Sequence, residues 1–235
     1  MAVSHFSPRA FLVLVLTLLT TTTLVNAVPK DQHEQCESWA DSGECYKNAN
    51  FMLTDCATSC DRAAAAVAAT DKELDGIASY FDLSAADIDG NTVNFDEFRG
   101  QVTILTNVAS YCGYTKSHYE GLVELWSRVA DTAIEILAFP CNQFGQQEPG
   151  TAAEINEFAA DQGVHFRMMQ KINVNGPDAS KVYKYLKREA GPVTITWNFA
   201  TYYVVGPDGG VQSFSGVEPM QLQDVALGLL EKEEL

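Results

Sequence analysis

Two apolar runs stand out along the chain, 102–108 and 134–139, each with the length and composition of a buried strand. Between them Leu122, Leu125, Trp126 and Val129 recur at i, i+3, i+4 and i+7, the spacing of one helical face. A strand, a helix and a second strand make a right-handed crossover with parallel strands. Their C-terminal ends open on one edge of the sheet, where open parallel sheets place their sites. Upstream, 80–93 reads as a hairpin with Asp89-Gly90 as its turn. Downstream, 154–160 and 178–188 read as helices, the second capped by Asp178. The segments 202–205 and 211–214, joined by Gly206-Pro-Asp-Gly-Gly210, read as a terminal hairpin. Leu222, Val225, Leu229 and Leu230 give a closing helix.

The N-terminal third follows a different pattern. Residues 1–27 have the form of a secretory signal peptide: Arg9, a short apolar run over 11–19, and Val25-Asn26-Ala27 as the cleavage pattern. That run is short for a bilayer span, and 20–23 interrupts it with threonines, so a cleaved leader is expected rather than an anchor. Residues 61–75 are alanine-rich, with high helix propensity and little to bury. They read as a linker, partly helical, between a module at 28–60 and a larger domain at 76–235. The 235 residues are 46% hydrophobic, enough for a sizeable core. Removing Arg9 with the leader takes the net charge from −16 to −17. That charge argues against nucleic acid and against anionic membrane surfaces as partners.

Four of the six cysteines, Cys36, Cys45, Cys56 and Cys60, fall in the small module. In a secreted chain they read as a disulfide staple, since so short a segment has little core of its own. Zinc is the rival, but no paired C-x-x-C occurs and only His33 lies near, so no metal is expected. Four cysteines allow three pairings, and spacing alone does not choose among them.

The other two cysteines lie in the crossover. Cys112 falls where the first strand gives way to the helix, and amide N–H groups at a helix start favour a thiolate over a thiol. A small inert buried cysteine fits the position equally well. The second strand runs into Pro140-Cys141-Asn142-Gln143-Phe144-Gly145, which brings Gln143 to the same sheet edge as Cys112. A neutral amide there can hydrogen-bond a developing anion without adding charge.

Three spaced motifs carry a family resemblance: Asn107-Val-Ala-Ser-Tyr-Cys-Gly-Tyr-Thr115; Phe139-Pro-Cys-Asn-Gln-Phe-Gly145 with Gln147-Glu148-Pro149-Gly150; and Trp197-Asn198-Phe199. From about Ile77 onward the chain resembles the glutathione peroxidase family in its cysteine form. The resemblance implies an α/β, thioredoxin-like fold. It implies a thiol peroxidase in which Cys112 attacks a hydroperoxide and Gln143, Trp197 and Asn198 hydrogen-bond the sulfur. No cofactor is implied beyond an external thiol. The short connection between Gly176 and Trp197 resembles the monomeric members.

The stretch 36–60 is similar to the ShKT domain, although that family has six cysteines and here the outer two are missing, with Ala63 where the last would fall. The resemblance implies pairs Cys36–Cys56 and Cys45–Cys60. Channel-blocking members use a Lys-Tyr pair; the matching Asn50 and Phe51 do not support that activity.

Reductant and address follow the same route. Relatives that use thioredoxin carry a resolving cysteine where this chain has Ala160, which leaves Cys141 as the remaining candidate. Relatives that favour glutathione carry arginines where this chain reads Val211-Gln212-Ser213. A protein dithiol of the disulfide isomerase type is therefore expected as reductant ahead of glutathione. The chain closes Lys232-Glu233-Glu234-Leu235, close to an endoplasmic-reticulum retrieval signal. The lumen of that compartment is the expected location, with secretion as the alternative. A rival role is that of a secreted interaction protein using the peroxidase fold as a scaffold beside the small module.

Overall fold

The computed structural model describes residues 31–41, 44–191 and 194–231. The expected signal peptide and the Lys232–Leu235 tail lie outside those residues. The stapled module is helical: α1 (Cys36–Asp41), α2 (Glu44–Lys47), α3 (Ala49–Asp55) and α4 (Ala57–Glu73). Cys36 pairs with Cys56 and Cys45 with Cys60, as the ShKT resemblance implies. The bridges sit in a small core with Ala40 and Met52, flanked by Trp39 and Phe51. Closing chain loops of this size restricts the unfolded chain, which offsets the smallness of that core.

The alanine-rich stretch does not break the helix that starts in the module. Instead α4 runs unbroken from inside the staple, where Ser59 and Cys60 are buried, to Glu73. Its far end meets the larger domain where Glu73 pairs with Lys184. A second tie joins the Thr194 hydroxyl to the Asp41 carbonyl.

The larger domain opens with the expected hairpin, β1 (Ser84–Ala86) and β2 (Thr92–Asn94). The Asp87 carboxylate closes its turn by accepting from the Asp89 and Asn91 amides. Then follow β3 (Val102–Val108), α5 (Thr115–Val129), β4 (Ile134–Pro140), α6 (Ala152–Asp161), β5 (Arg167–Met168), α7 (Lys181–Ala190), β6 (Thr201–Val205), β7 (Val211–Ser215) and α8 (Gln223–Glu231). The sheet order is β5-β4-β3-β6-β7. β3 and β4 run parallel across the α5 crossover, in register from Val102↔Ile134 to Val108↔Pro140. β6 and β7 add antiparallel to the other side of β3.

All seven residues of β3 are buried, because the sheet is covered on both faces. Alternation along the strands divides them between two cores. Ile104, Val108, Ile136 and Ala138 pack with Leu122, Leu125 and Val129 of α5 on one face. Leu105, Leu137 and Phe139 pack with Tyr183 and Leu186 of α7 on the other. The cap of α7 is Ser180, not Asp178: the extended Ser180 backbone lets its hydroxyl accept from the Tyr183 amide at 3.3 Å. Thr151 and Glu154 form a capping box that starts α6. The two-residue β5 carried too little pattern to be visible in the sequence.

Candidate active site

Cys112 lies in the turn between β3 and α5, at the sheet edge that the crossover predicted. Thr115 builds that turn. Its hydroxyl donates to the Ala109 carbonyl at 2.6 Å and accepts from the Cys112 amide at 2.9 Å. The Thr115 amide in turn donates to the Cys112 carbonyl at 3.1 Å. Cys112 is 8% exposed and carries a free thiol. Its chain neighbours Tyr111 and Tyr114 are 71% and 54% exposed, and Trp197, whose carbonyl Asn107 holds, is 37% exposed.

Asn107, the penultimate residue of β3, ties this turn to the segment ahead of β6. Its side-chain amide donates to Asn198 Oδ1 at 3.0 Å and to the Trp197 carbonyl at 3.3 Å. Its own carbonyl accepts from the Phe199 amide at 2.8 Å. Phe199 adopts φ 63°, a left-handed backbone that costs a non-glycine residue on the order of 1 kcal/mol. The turn is held there because Phe199 is buried against the Tyr119 and His118 rings. Asn198 is fully buried, so both ends of its amide require partners. Oδ1 has Asn107, and Nδ2 donates to Gln147 Oε1 at 3.4 Å.

Gln147 is the site residue that the sequence analysis did not single out. Its carbonyl accepts from the Tyr111 amide at 3.0 Å, so it touches the cysteine turn as well as Asn198. The expected amide, Gln143, is engaged elsewhere. Its Oε1 accepts from the Val174 and Asn175 amides at 2.7 and 2.9 Å, and its Nε2 donates to the Asn175 carbonyl at 2.9 Å. The reason is local. Gly145 and Gln146 both take left-handed φ, 59° and 53°, and reverse the chain between the two glutamines. A side chain at position 145 would also stand 3.5 Å from the Gln147 amide nitrogen. The motif held both glutamines, and only this backbone reversal separates them.

Glu148 lies fully buried behind the cysteine turn. Ser110 donates to its Oε1 at 2.8 Å, and its amide donates to Asn142 Oδ1 at 2.8 Å. Burial pushes its pKa above the ordinary carboxylate value, against the lowering by Ser110 and Lys171.

The other free sulfur belongs to a different compartment of the fold. Cys112 packs in the core on the α5 face, and Cys141 in the core on the α7 face. Cys141 is fully buried, which pushes its thiol pKa up. As a resolving cysteine it would have to cross the sheet. Among the described residues no cluster of histidine, cysteine and carboxylate side chains is placed to hold a metal.

The sheet order, the crossover and a cysteine at the sheet edge define an α/β protein of thioredoxin-like class. Residues 80–187 match the family model for glutathione peroxidase, and residues 28–62 match that for ShK domain-like segments. A glutathione peroxidase of Lactococcus lactis subsp. cremoris is 42% identical over 158 residues, 65% of this chain and 99% of that protein. The phospholipid hydroperoxide glutathione peroxidase of Callithrix jacchus is 51% identical over 131 residues, 54% of this chain. That match spans 66% of the Callithrix protein's length. Among solved structures, T. cruzi GPX1 superposes with a TM-score of 0.54 at 30% identity, covering 65% of this chain and 97% of that one. The chain belongs to the glutathione peroxidase family and carries an ShK-like module ahead of that domain.

Proposed function

We propose that this chain is a thiol-dependent peroxidase with Cys112 as its peroxidatic residue. The observation that carries the reading is the convergence of Tyr111, Gln147 and Asn198 around the Cys112 turn, anchored by Asn107. The Cys112 thiolate attacks the distal oxygen of a hydroperoxide. The O–O bond breaks, the alkoxide leaves and takes up a proton as an alcohol, and the sulfur becomes a sulfenic acid. Amide N–H groups of Gln147 and Asn198 suit the thiolate and the departing oxygen, since they stabilise negative charge without adding any. Trp197 offers an indole N–H, which only donates. The exposed rings of Tyr111, Tyr114 and Trp197 favour organic and lipid hydroperoxides over hydrogen peroxide alone.

The resting enzyme is then restored by an outside thiol. Cys141 lies across the sheet, and the negative charge of the chain disfavours a free anionic thiol such as glutathione at low salt. A protein dithiol of the disulfide isomerase type fits better. The leader, the staple and the Lys232–Leu235 tail support residence in the lumen of the endoplasmic reticulum, and the short connection between Gly176 and Trp197 supports a monomer. Consumption of cumene hydroperoxide by purified protein, compared with Cys112→Ser, tests the reading. Loss of turnover in the variant is expected. Equal turnover would reassign the nucleophile, and an inert wild-type protein would favour the scaffold role beside the ShK-like module.

A further inference from the structure

Gln143, Asn175 and Lys187 come from three segments: the turn after β4, the loop before α7, and the last turn of α7. They meet on one short piece of backbone. Gln143 Oε1 takes the Val174 and Asn175 amides, while Gln143 Nε2 returns a bond to the Asn175 carbonyl. Lys187 Nζ donates to Asn175 Oδ1 at 2.6 Å and to the Val174 carbonyl. A charged lysine head group only donates and never accepts, so the end of the Asn175 amide that faces it is the oxygen. Nδ2 must then face the opposite way. There it donates to the Ile195 carbonyl at 2.7 Å, and the Ile195 amide donates back to Oδ1 at 3.3 Å.

Ile195 is buried and lies two residues ahead of Trp197. The segment that carries Trp197 and Asn198 is therefore gripped at both ends. Asn107 holds it beyond Trp197, and Asn175 holds it before Trp197. Gln143 acts on a second part of the same surroundings, because the next residue, Phe144, places its ring 5.9 Å from the Trp197 ring.

We propose that Gln143, Asn175 and Lys187 are positioning residues of the peroxidase site, a hydrogen-bonded strut that fixes the 195–198 segment and so sets where Trp197 and Asn198 stand. Its kinetic consequence rests on the function proposed above; its structural consequence does not. Lys187 orients the Asn175 amide, Asn175 holds the Ile195 backbone, and Gln143 fixes the loop from which both act. None of the three needs to touch the reacting atoms. A shift of the order of 1 Å in groups aimed at a reacting centre costs about a hundredfold in rate, so a strut remote from the sulfur has leverage on it.

The test uses the full-length protein with Trp39→Phe and Trp126→Phe, which leaves Trp197 as the one tryptophan. Two quantities are read: the second-order rate of Cys112 oxidation by hydrogen peroxide, and acrylamide quenching of Trp197 emission. Asn175→Asp and Asn175→Ser, two chemically different changes, guard against a single misfolded variant. Each should slow oxidation by about tenfold or more and raise quenching. Lys187→Met should do the same, and Lys187→Arg, which keeps a donor, should recover both readouts in part. Unchanged quenching in both Asn175 variants would overturn the strut. So would a Lys187→Arg protein as slow and as quenched as Lys187→Met. If the parent protein fails to react with peroxide, the proposed function falls, and the quenching measurement still decides the strut.

Discussion

Asn107 on β3 and Asn198 in the segment ahead of β6 are joined side chain to side chain, Nδ2 to Oδ1 at 3.0 Å. An amide has two unlike ends, so this bond fixes the direction of everything beyond it. Asn198 Nδ2 is left to face Gln147 Oε1, and Gln147 Nε2 is the end that remains to donate. A chain of three amides thus runs from the centre of the sheet to the cysteine turn.

That direction makes Gln147 testable. Gln147→Ala should lower the rate of Cys112 oxidation by about a hundredfold, the usual cost of losing one aimed donor. Gln147→Glu should do no better, because a carboxylate at that position offers no N–H and would oppose a thiolate at Cys112. Stopped-flow oxidation with hydrogen peroxide is the measurement. A Gln147→Ala protein within about twofold of wild type would remove this residue from the mechanism.

Glu148 gives a pH dependence with a definite sign. Burial raises its pKa in the folded chain, whereas the unfolded chain releases the proton at the ordinary carboxylate value of 4.5. Above that value the unfolded state binds fewer protons than the folded one. The folded state therefore loses stability as pH rises through the folded pKa. Glu148→Gln removes the charge and should flatten that fall. Thermal midpoints of both proteins, followed from pH 4.5 to neutral, check it; parallel curves would show that Glu148 is not the group responsible.

The address is tested by the tail. Cells expressing the chain without Lys232–Leu235 should release it to the medium, while the full chain stays inside. Equal amounts in the medium would reduce those residues to an ordinary charged terminus.

The reductant is tested by competition. At matched thiol concentration, reduced protein disulfide isomerase should restore oxidised Cys112 faster than glutathione, by the widest margin at low salt, where charge repulsion is least screened. Faster recovery with glutathione at every salt concentration would place this chain with glutathione-using enzymes.

Much of the fold was legible because it rests on periodicity. β3 was visible to its end residues, and β4 ended one residue beyond its expected limit, because both are buried apolar runs bounded by polar turns. Cys112, Trp197 and Asn198 lie in motifs whose spacing survives without coordinates. The choice between Gln143 and Gln147 was not visible. It depends on two consecutive left-handed residues, one of them the non-glycine Gln146, and no pattern of apolar and polar positions encodes that reversal. The capping of α7 failed for a similar reason: Asp178 and Ser180 are both good caps, and the choice lies in where the chain turns. The strut around Asn175 was out of reach altogether, since it joins residues whose partners are set by tertiary packing.

The placement of the two free sulfurs on opposite faces of the sheet bears on how long an oxidised enzyme lasts. A peroxidase with a resolving thiol on the same face converts its sulfenic acid to a disulfide within the molecule, at a rate independent of supply. On the mechanism proposed above, a sulfenic acid at Cys112 would have no such neighbour, and its lifetime would be set by the concentration of external reductant. Under sustained peroxide and scarce reductant, the same sulfur would meet a second peroxide and advance to the sulfinic acid, which is not reversed by thiols. The sheet would thereby make the protein a gauge of its surroundings, cycling where thiols are plentiful and retired where they run out.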